Sequence, residues 1–470
     1  MDTKTDRPNI VFIMSDDHAS HAMSCYGSRI NRTPNLDRIA DEGMRFDNCF
    51  CTNGICTPSR AAILTGTYNH INGVTTLATH MDNRLMTYPK LLQEAGYQTA
   101  MFGKWHLGQG PEHEPTGFDD WRVLPGQGLY HDPELIDPSG QKIWTGYVTN
   151  LITDMSLQWL KDRNKSQPFA LMVHHKAPHR EWEPDAKHAD MYENEEILEP
   201  ETFYDDYENR SSAAAAAKMR MEDLQLKDLK QEVPAGLSPK DEKRWRYQRY
   251  IKDYLRVVAS VDDNVGRVLD YLEDEGLVDN TLVIYTSDQG FFLGDHGWFD
   301  KRFMYEESLR MPFVARLPLE VKAGTTCDDF VLNVDFASLF LDLAGVTIPD
   351  EFQGRSFRPL LHGKTPPDWR QSMYYRYWMH GDGAHNVYAH YGARTHDHKL
   401  IYFYNDGCGQ KGSGAQTYPP EWELFDLKAD PCEMKSIVDE DSEKSVRDAM
   451  TVELHRLQEQ VGDERYHLDV

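Results

Sequence analysis

The chain has 470 residues, 40% hydrophobic and 27% charged, the composition of a folded globular protein with room for one large domain and a smaller one. A formal net charge of −26 excludes a nucleic-acid binder, which needs a basic footprint. No apolar run approaches the ~20 residues that cross a bilayer, so no membrane span is expected.

Residues 10–14 are continuously apolar and read as a buried strand running into Ser15, Asp16, Asp17 and His18. With a strand this early no leader is visible. The sequence as written is expected in the cytoplasm, or in the periplasm or secreted if a leader has been removed. Residues 89–95 carry a helical pattern, followed by a strand at 99–102 that ends in Gly103, Lys104, Trp105 and His106. A helix at 148–163 precedes a strand at 169–173, which runs into His174, His175, Lys176, Ala177, Pro178 and His179. Residues 190–249 are acidic, then alanine-rich, then mixed in charge, and read as a solvated helical insertion leading into a long helix at 250–275. The strand at 281–286 ends in Ser287, Asp288, Gln289 and Gly290. Strands alternating with helices predict an α/β fold with a large, mostly parallel sheet flanked by helices. Ligands of such sheets bind beyond the carboxyl ends of the strands, which gathers these polar ends at one edge.

A proline-rich turn near residue 365 divides the chain into 1–365 and a smaller unit, 366–470. In the latter, aromatic runs at 372–378, 386–394, 399–404 and 422–426 suit a small antiparallel sheet, closed by a helix at 442–461. The seven cysteines match no zinc or disulfide framework, although Cys408 and Cys432 are a candidate pair.

The string Cys56-Thr57-Pro58-Ser59-Arg60-Ala61-Ala62-Ile63-Leu64-Thr65-Gly66 places a sulfur just ahead of a helix start. Thr57 suits the N-cap and Pro58 the first helical position. Cys56 would then lie where free N–H groups and the helix dipole favour an anion. Read alone, it is more readily a buried cysteine before an ordinary helix. Asp16, Asp17, Asp288 and Gln289 offer hard oxygen donors from two strand ends, a set for Ca²⁺ or Mg²⁺ rather than zinc. Any anionic ligand needs a local positive pocket in so acidic a protein, and Arg60, Lys104, Lys301 and several histidines could form it.

The Cys56 string resembles the sulfatase signature C/S-x-P-x-R-x-x-x-L-T-G, and Gly103-Lys104-Trp105-His106 matches the family's second signature, G-K-W-H. The resemblance implies an alkaline-phosphatase-like fold and a catalytic domain at 1–365. It implies that a formylglycine-generating or sulfatase-maturing enzyme oxidises Cys56 to the aldehyde formylglycine. One hydroxyl of the hydrated aldehyde attacks sulfur; loss of the other's proton then expels sulfate. It assigns the metal to Asp16, Asp17, Cys56 as formylglycine, Asp288 and Gln289, the last standing where the family more often has Asn. Arg60 would hold the hydrate, Lys104 would contact sulfate, and His106 would accept the second hydroxyl's proton. His179 would protonate the leaving alcohol, with His174 and His175 as competitors. Lys301 would contact sulfate, with Arg302 as rival.

Residues 287–312 are similar to bacterial glycan sulfatases, including the N-acetylglucosamine-6-sulfatase type. His385 and His390, in a stretch rich in sugar-bonding groups, are candidate substrate contacts. The expected activity is removal of sulfate from a carbohydrate, such as a 6-O-sulfated N-acetylglucosamine. The alternatives are a phosphate or phosphonate monoester hydrolase, an aryl or choline sulfatase, or a noncatalytic glycan-binding module if Cys56 stays a thiol.

Overall fold

The computed structural model describes residues 7–466. Its centre is a ten-stranded sheet. From one edge the order is Thr325–Cys327, Met44–Phe46, Phe313–Arg316, Thr281–Ser287, Asn9–Ser15, Phe169–His174, Gln98–Lys104, Asp120–Leu124, Glu134–Asp137 and Gly140–Ile143. The run from Thr281–Ser287 to Asp120–Leu124 is parallel throughout, and antiparallel pairs extend it at both sides. The mostly parallel sheet expected from the sequence is present, with a parallel middle and antiparallel pairs toward both edges. Its short outer strands carry no long apolar run, which is why the sequence does not announce them.

The middle strands are apolar on both faces, and alternation sends their side chains to two separate cores. Ile10, Phe12, Met14, Met172 and Ile284 join a cluster with helices Cys56–Thr65 and Asp335–Leu343. Val11, Ile13, Leu171, Val173 and Tyr285 join another with helices Val148–Asp162 and Pro239–Asp274. The strands Ser372–Tyr377, His390–Thr395, His398–Phe403 and Glu421–Asp426 form the small antiparallel sheet, backed by helix Lys444–Val461. Tyr374, Ile401 and Leu424 of that sheet belong to the same core as Phe12, so the turn near residue 365 changes topology without interrupting the packing.

Two expectations change. The long helix begins at Pro239, not at residue 250, with Ser238 accepting a capping bond from the Asp241 N–H at 3.2 Å. Its first turns are charged and half-exposed, so the apolar period starts late. The segment before it is not a solvated excursion: Phe203, Ala213, Ala214, Met219 and Met221 are 0% exposed. Its small side chains pack closely without an apolar pattern to reveal it. Cys408 and Cys432 do not pair; both are free thiols.

The segment is also anchored by charge. His296, in the loop after the Asp288–Gln289 pair, bonds Asp205 through Nδ1 at 2.8 Å, and its Nε2 lies 3.8 Å from Glu307. Arg210 meets both Asp205 and the same ring nitrogen. Burial and Arg210 oppose charge on His296, but Asp205 and Glu307 outweigh them and raise it from 6.5 to about 9. A group raised on folding gives its full stabilisation below the unfolded value and loses it as pH climbs through the folded one. Between pH 6.5 and about 9 the native protein should therefore lose on the order of 3 kcal/mol more stability than the His296→Gln variant. Urea unfolding at several pH values measures this, and equal slopes for the two proteins would refute it.

Candidate active site

Strands Asn9–Ser15 and Thr281–Ser287 run parallel and in register, with Ser15 opposite Ser287. Asp16 and Asp288 thus leave the sheet side by side, and the Asp288 N–H donates to the Ser15 carbonyl at 3.2 Å. Asp17 takes a left-handed φ of 69°, which turns its carboxylate back over the strand ends. Tyr254, from the long helix, holds that conformation: its hydroxyl donates to the Asp17 carbonyl at 2.7 Å and accepts from the Ala19 N–H at 2.9 Å.

Asp16, Asp17, Asp288 and Gln289 are all at most 1% exposed. Burial, with Asp300 and Asp288 nearby, raises Asp17 to about 7 despite Lys301. Asp16 Oδ1 and Gln289 Oε1 are buried without a hydrogen-bond partner among the described residues. Gln289 Nε2 donates to Asp17 at 2.6 Å and Asp288 at 2.7 Å, and a half-turn of the amide brings Oε1 to the carboxylates instead. Crowded carboxylates with unpartnered oxygens fit a hard divalent cation. His179 adds a nitrogen to this cluster: one donor atom each of Asp16, Asp17 and His179 lie within 4.8 Å of one another.

The helix above the cluster is Cys56–Thr65, and Ile55, not Thr57, is its N-cap. Thr57 is drawn away because its hydroxyl donates to the His106 carbonyl at 3.0 Å. Cys56 thereby opens the helix, buried at 1% exposure. Burial pushes its thiol up to about 11, with Asp288 and Asp17 adding to the effect and Lys301 and Arg60 opposing it. The sulfur is a thiol and not a thiolate at neutral pH, a poor nucleophile as it stands. Arg60, one turn on, donates from Nε to Asp288 at 2.9 Å and from Nη1 to the Lys104 carbonyl at 2.7 Å. Its Nη2 has no hydrogen-bond partner among the described residues. Ser59 donates to the Asp288 carbonyl and accepts from Asn333 at 2.9 Å, tying the helix to the second strand end.

Lys104 is buried, with its ammonium against Asp16 and Gln127, and burial lowers its pKa well below the usual value. Lys301 reaches Asp17 and lies 5.7 Å over the Phe291 ring. Burial works against its charge, but Asp17 and Asp300 raise its pKa overall. Arg302 turns instead toward the small sheet, donating to the Tyr377 hydroxyl at 3.0 Å, so Lys301 is the residue brought to the cluster.

His106 bonds Thr57 through Nδ1 at 3.2 Å, and His179 donates from Nδ1 to the Arg180 carbonyl at 2.7 Å. These bonds leave Nε2 of each ring without a proton. Burial, then the lysines nearby, keeps both rings neutral. His174 and His175 point into the protein, His174 against Phe12, and burial lowers both. Of the three histidines only His179 meets Asp17, at 3.8 Å.

The two candidates in the small domain separate. His385 bonds Asp382 at 2.9 Å, and its Nε2 lies 3.4 Å from Asp300 and 3.3 Å from Arg302, beside Lys301 in the chain. His390 is 0% exposed and spends both nitrogens on the backbone, at Tyr388 and Met304. Stacked against Phe303, Tyr375 and Phe403, it is a packing residue, which corrects its reading as a substrate contact. Gln127, Asp300, Asp382, Tyr254, Ser59 and Asn333 complete the surroundings. Asp300 could have been found from its neighbour Lys301; the others carry no signal in the sequence.

Arg60, Lys301 and the Asp16-paired Lys104 beside a buried oxygen-donor cluster suit a tetrahedral oxyanion, the arrangement expected of a hydrolase of the alkaline-phosphatase-like kind. A family model described as sulfatase matches residues 8–346, and one for the C-terminal part of N-sulphoglucosamine sulphohydrolase matches residues 294–460. An N-acetylglucosamine-6-O-sulfatase of Bacteroides thetaiotaomicron is 46% identical over 480 aligned residues, covering 92% of this chain and 83% of that protein. The solved structure of BT4656 in complex with its substrate D-glucosamine-2-N,6-O-disulfate superposes with a TM-score of 0.92 at 44% identity, covering 97% of this chain and 98% of the other. A phosphonate monoester hydrolase of Agrobacterium radiobacter, 20% identical with a TM-score of 0.74 over 97% and 93% of the two chains, shares the fold alone. The chain belongs to the sulfatase family and is a hydrolase of sulfate esters. The family works with formylglycine and a divalent metal. Among the described residues no helix is long and apolar enough to cross a membrane.

Proposed function

We propose that this chain removes the 6-O-sulfate from a glucosamine-type sugar, with Cys56 converted to formylglycine and Ca²⁺ held by Asp16, Asp17, Asp288, Gln289 and the formylglycine oxygen. The observation that carries the substrate is the solved relative whose bound substrate is a glucosamine 2-N,6-O-disulfate. Formylglycine supplies the nucleophile in its hydrated form, and the cation lowers that group's pKa and neutralises sulfate charge. Lys104 and Lys301 bind the sulfate oxygens. Arg60, whose Nη2 makes no hydrogen bond among the described residues and lies 3.8 Å from Asp16, holds the nucleophile in place. His106 accepts a proton at Nε2 when sulfate is released. His179 would protonate the departing sugar hydroxyl from Nε2 once its ring has taken up a second proton; a bound sulfate's charge against the lysines favours that uptake and burial opposes it.

Because Cys56 is 1% exposed, its maturing enzyme must reach it before the helix packs. The Cys56 peptide should then be ~18 Da lighter than a thiol predicts. The functional test is release of inorganic sulfate from a panel of defined sulfated saccharides, with Ca²⁺ and Mg²⁺ each restored after chelation. Absence of turnover on every 6-sulfated amino sugar would overturn the substrate. Faster turnover of a phosphate than a sulfate ester of one leaving group would move the chain to the phosphatase reading. An intact thiol with saccharide binding but no turnover would leave a glycan-binding module.

His385 is the candidate sugar contact. His385→Ala removes a hydrogen bond between polar groups, about 1.5 kcal/mol or more, so KM for the 6-sulfated sugar should rise ~10-fold or beyond. Turnover of 4-nitrophenyl sulfate, which needs only the sulfate pocket, should stay within ~2-fold.

A further inference from the structure

Residues 216–220 of the inserted segment cross between two loops that lie far apart in the chain. On one side the Phe299 N–H donates to the Met219 carbonyl at 2.8 Å, and Arg220 forms an antiparallel bridge with Trp298. Phe299 immediately precedes Asp300 and Lys301. On the other side the Lys218 N–H donates to the His385 carbonyl at 2.7 Å, and Asn386 Nδ2 donates to the Ala216 carbonyl at 2.9 Å. Met219 is buried in the core that contains Trp298, while the Lys218 side chain is exposed to solvent. The contact to His385 is thus made by backbone alone. The N-terminal end of the segment is pinned in turn, by Ser211 on Glu423 at 2.7 Å and by Ser212 on Glu421.

The two loops need such support. Asp300, Arg302 and Asn386 have φ of 77°, 100° and 51°, conformations that L-residues hold only when the surroundings impose them. The loops also meet directly, His385 Nε2 lying 3.4 Å from Asp300 and 3.3 Å from Arg302, and the Met304 N–H donating to His390 at 3.1 Å, but the bonds that hold the His385 carbonyl and the Phe299 N–H come from residues 216–220.

We infer that residues 216–220 are a specificity splint: their backbone sets the spacing of His385 from Asp300 and Lys301, and so decides how well the sugar is held while leaving the sulfate pocket intact. The splint positions these groups and touches no reacting atom. The sulfate end is insulated because the Lys301 ammonium is tied separately to Asp17 and lies over Phe291. The inference rests on the proposed reading of His385 as a sugar contact.

Lys218→Pro deletes the N–H that His385 accepts. Ala217 already has the extended ψ of 137° that a following proline requires. Kinetics are read on the sulfated saccharide that the wild type turns over best and on 4-nitrophenyl sulfate. KM for the saccharide should rise ~10-fold in Lys218→Pro, with both constants for the aryl ester within ~2-fold. Lys218→Ala, which keeps the N–H, should match the wild type on both. Asn386→Asp removes the second tie with a residue that also tolerates a left-handed backbone, and should shift KM the same way; it decides the matter if the proline variant fails to fold. Wild-type saccharide kinetics in both Lys218→Pro and Asn386→Asp, or equal losses on the two substrates, would overturn the splint. Wild-type protein that turns over the aryl ester and no saccharide would overturn the proposed function and the splint with it. Normal saccharide kinetics in His385→Ala, with a raised KM in Lys218→Pro, would overturn the assignment of His385 and, with it, the splint as acting through His385, while leaving the sulfatase reading untouched.

Discussion

Cys56→Ala should lose sulfate release by ~10⁴-fold or more while remaining folded. The thiol is buried and protonated, and contributes to the fold only as a small apolar group in the first turn of a fully buried helix. Alanine is the best helix former and leaves a void of one sulfur atom, so stability should fall by about 1 kcal/mol. Arg60, Lys104 and the carboxylates are tied to one another without Cys56 and should keep their places. Sulfate release and thermal melting together check this. Activity that survives in a folded Cys56→Ala protein would end the formylglycine mechanism for this chain.

Asp17→Asn should lower kcat/KM by ~10³-fold or more and abolish the stabilisation that the proposed Ca²⁺ would confer. A cation at a hundred times its Kd stabilises the native state by about 2.7 kcal/mol, visible as a rise in melting temperature. The variant retains an amide oxygen but loses a charge that serves the cation cluster and Lys301 alike. Breaking a buried ion pair costs about 3–5 kcal/mol when the remaining charge is stranded; Asp300 beside Lys301 should soften that loss. The decisive comparison is the melting shift on adding Ca²⁺ to chelated protein. A full shift in Asp17→Asn would remove this residue from the cation site.

The catalytic half of the site is written locally, and the sugar half is not. Asp16, Asp17, Asp288 and Gln289 directly follow long buried strands, so the pattern of the strand also locates the carboxylates. Cys56 and Arg60 share one helix, where spacing alone puts them a turn apart. Gln127 and Asn333 reach the same groups from elements with no pattern of their own, and Tyr254 from a helix whose pattern does not say which residue meets the site. His385 and His390 show the limit most directly. Five residues apart in one aromatic-rich stretch, they are indistinguishable until the small sheet packs, when one faces Asp300 and the other is enclosed by Phe303, Tyr375 and Phe403.

The inserted segment makes the same point at a larger scale. Its composition suggested solvent exposure because small and charged residues show no apolar period. Its role lies in backbone hydrogen bonds to distant loops, and every residue type offers the same N–H and C=O. From the amino-acid order alone came the α/β class, the strand ends and the residues proposed to handle sulfate, because short-range periodicity and adjacent motifs encode them. Tertiary structure alone decided which histidine faces Asp300 and which is enclosed, which lysine or arginine meets the carboxylates, and that the insertion spans two loops. Those outcomes depend on contacts between residues remote in sequence, and only packing brings them together.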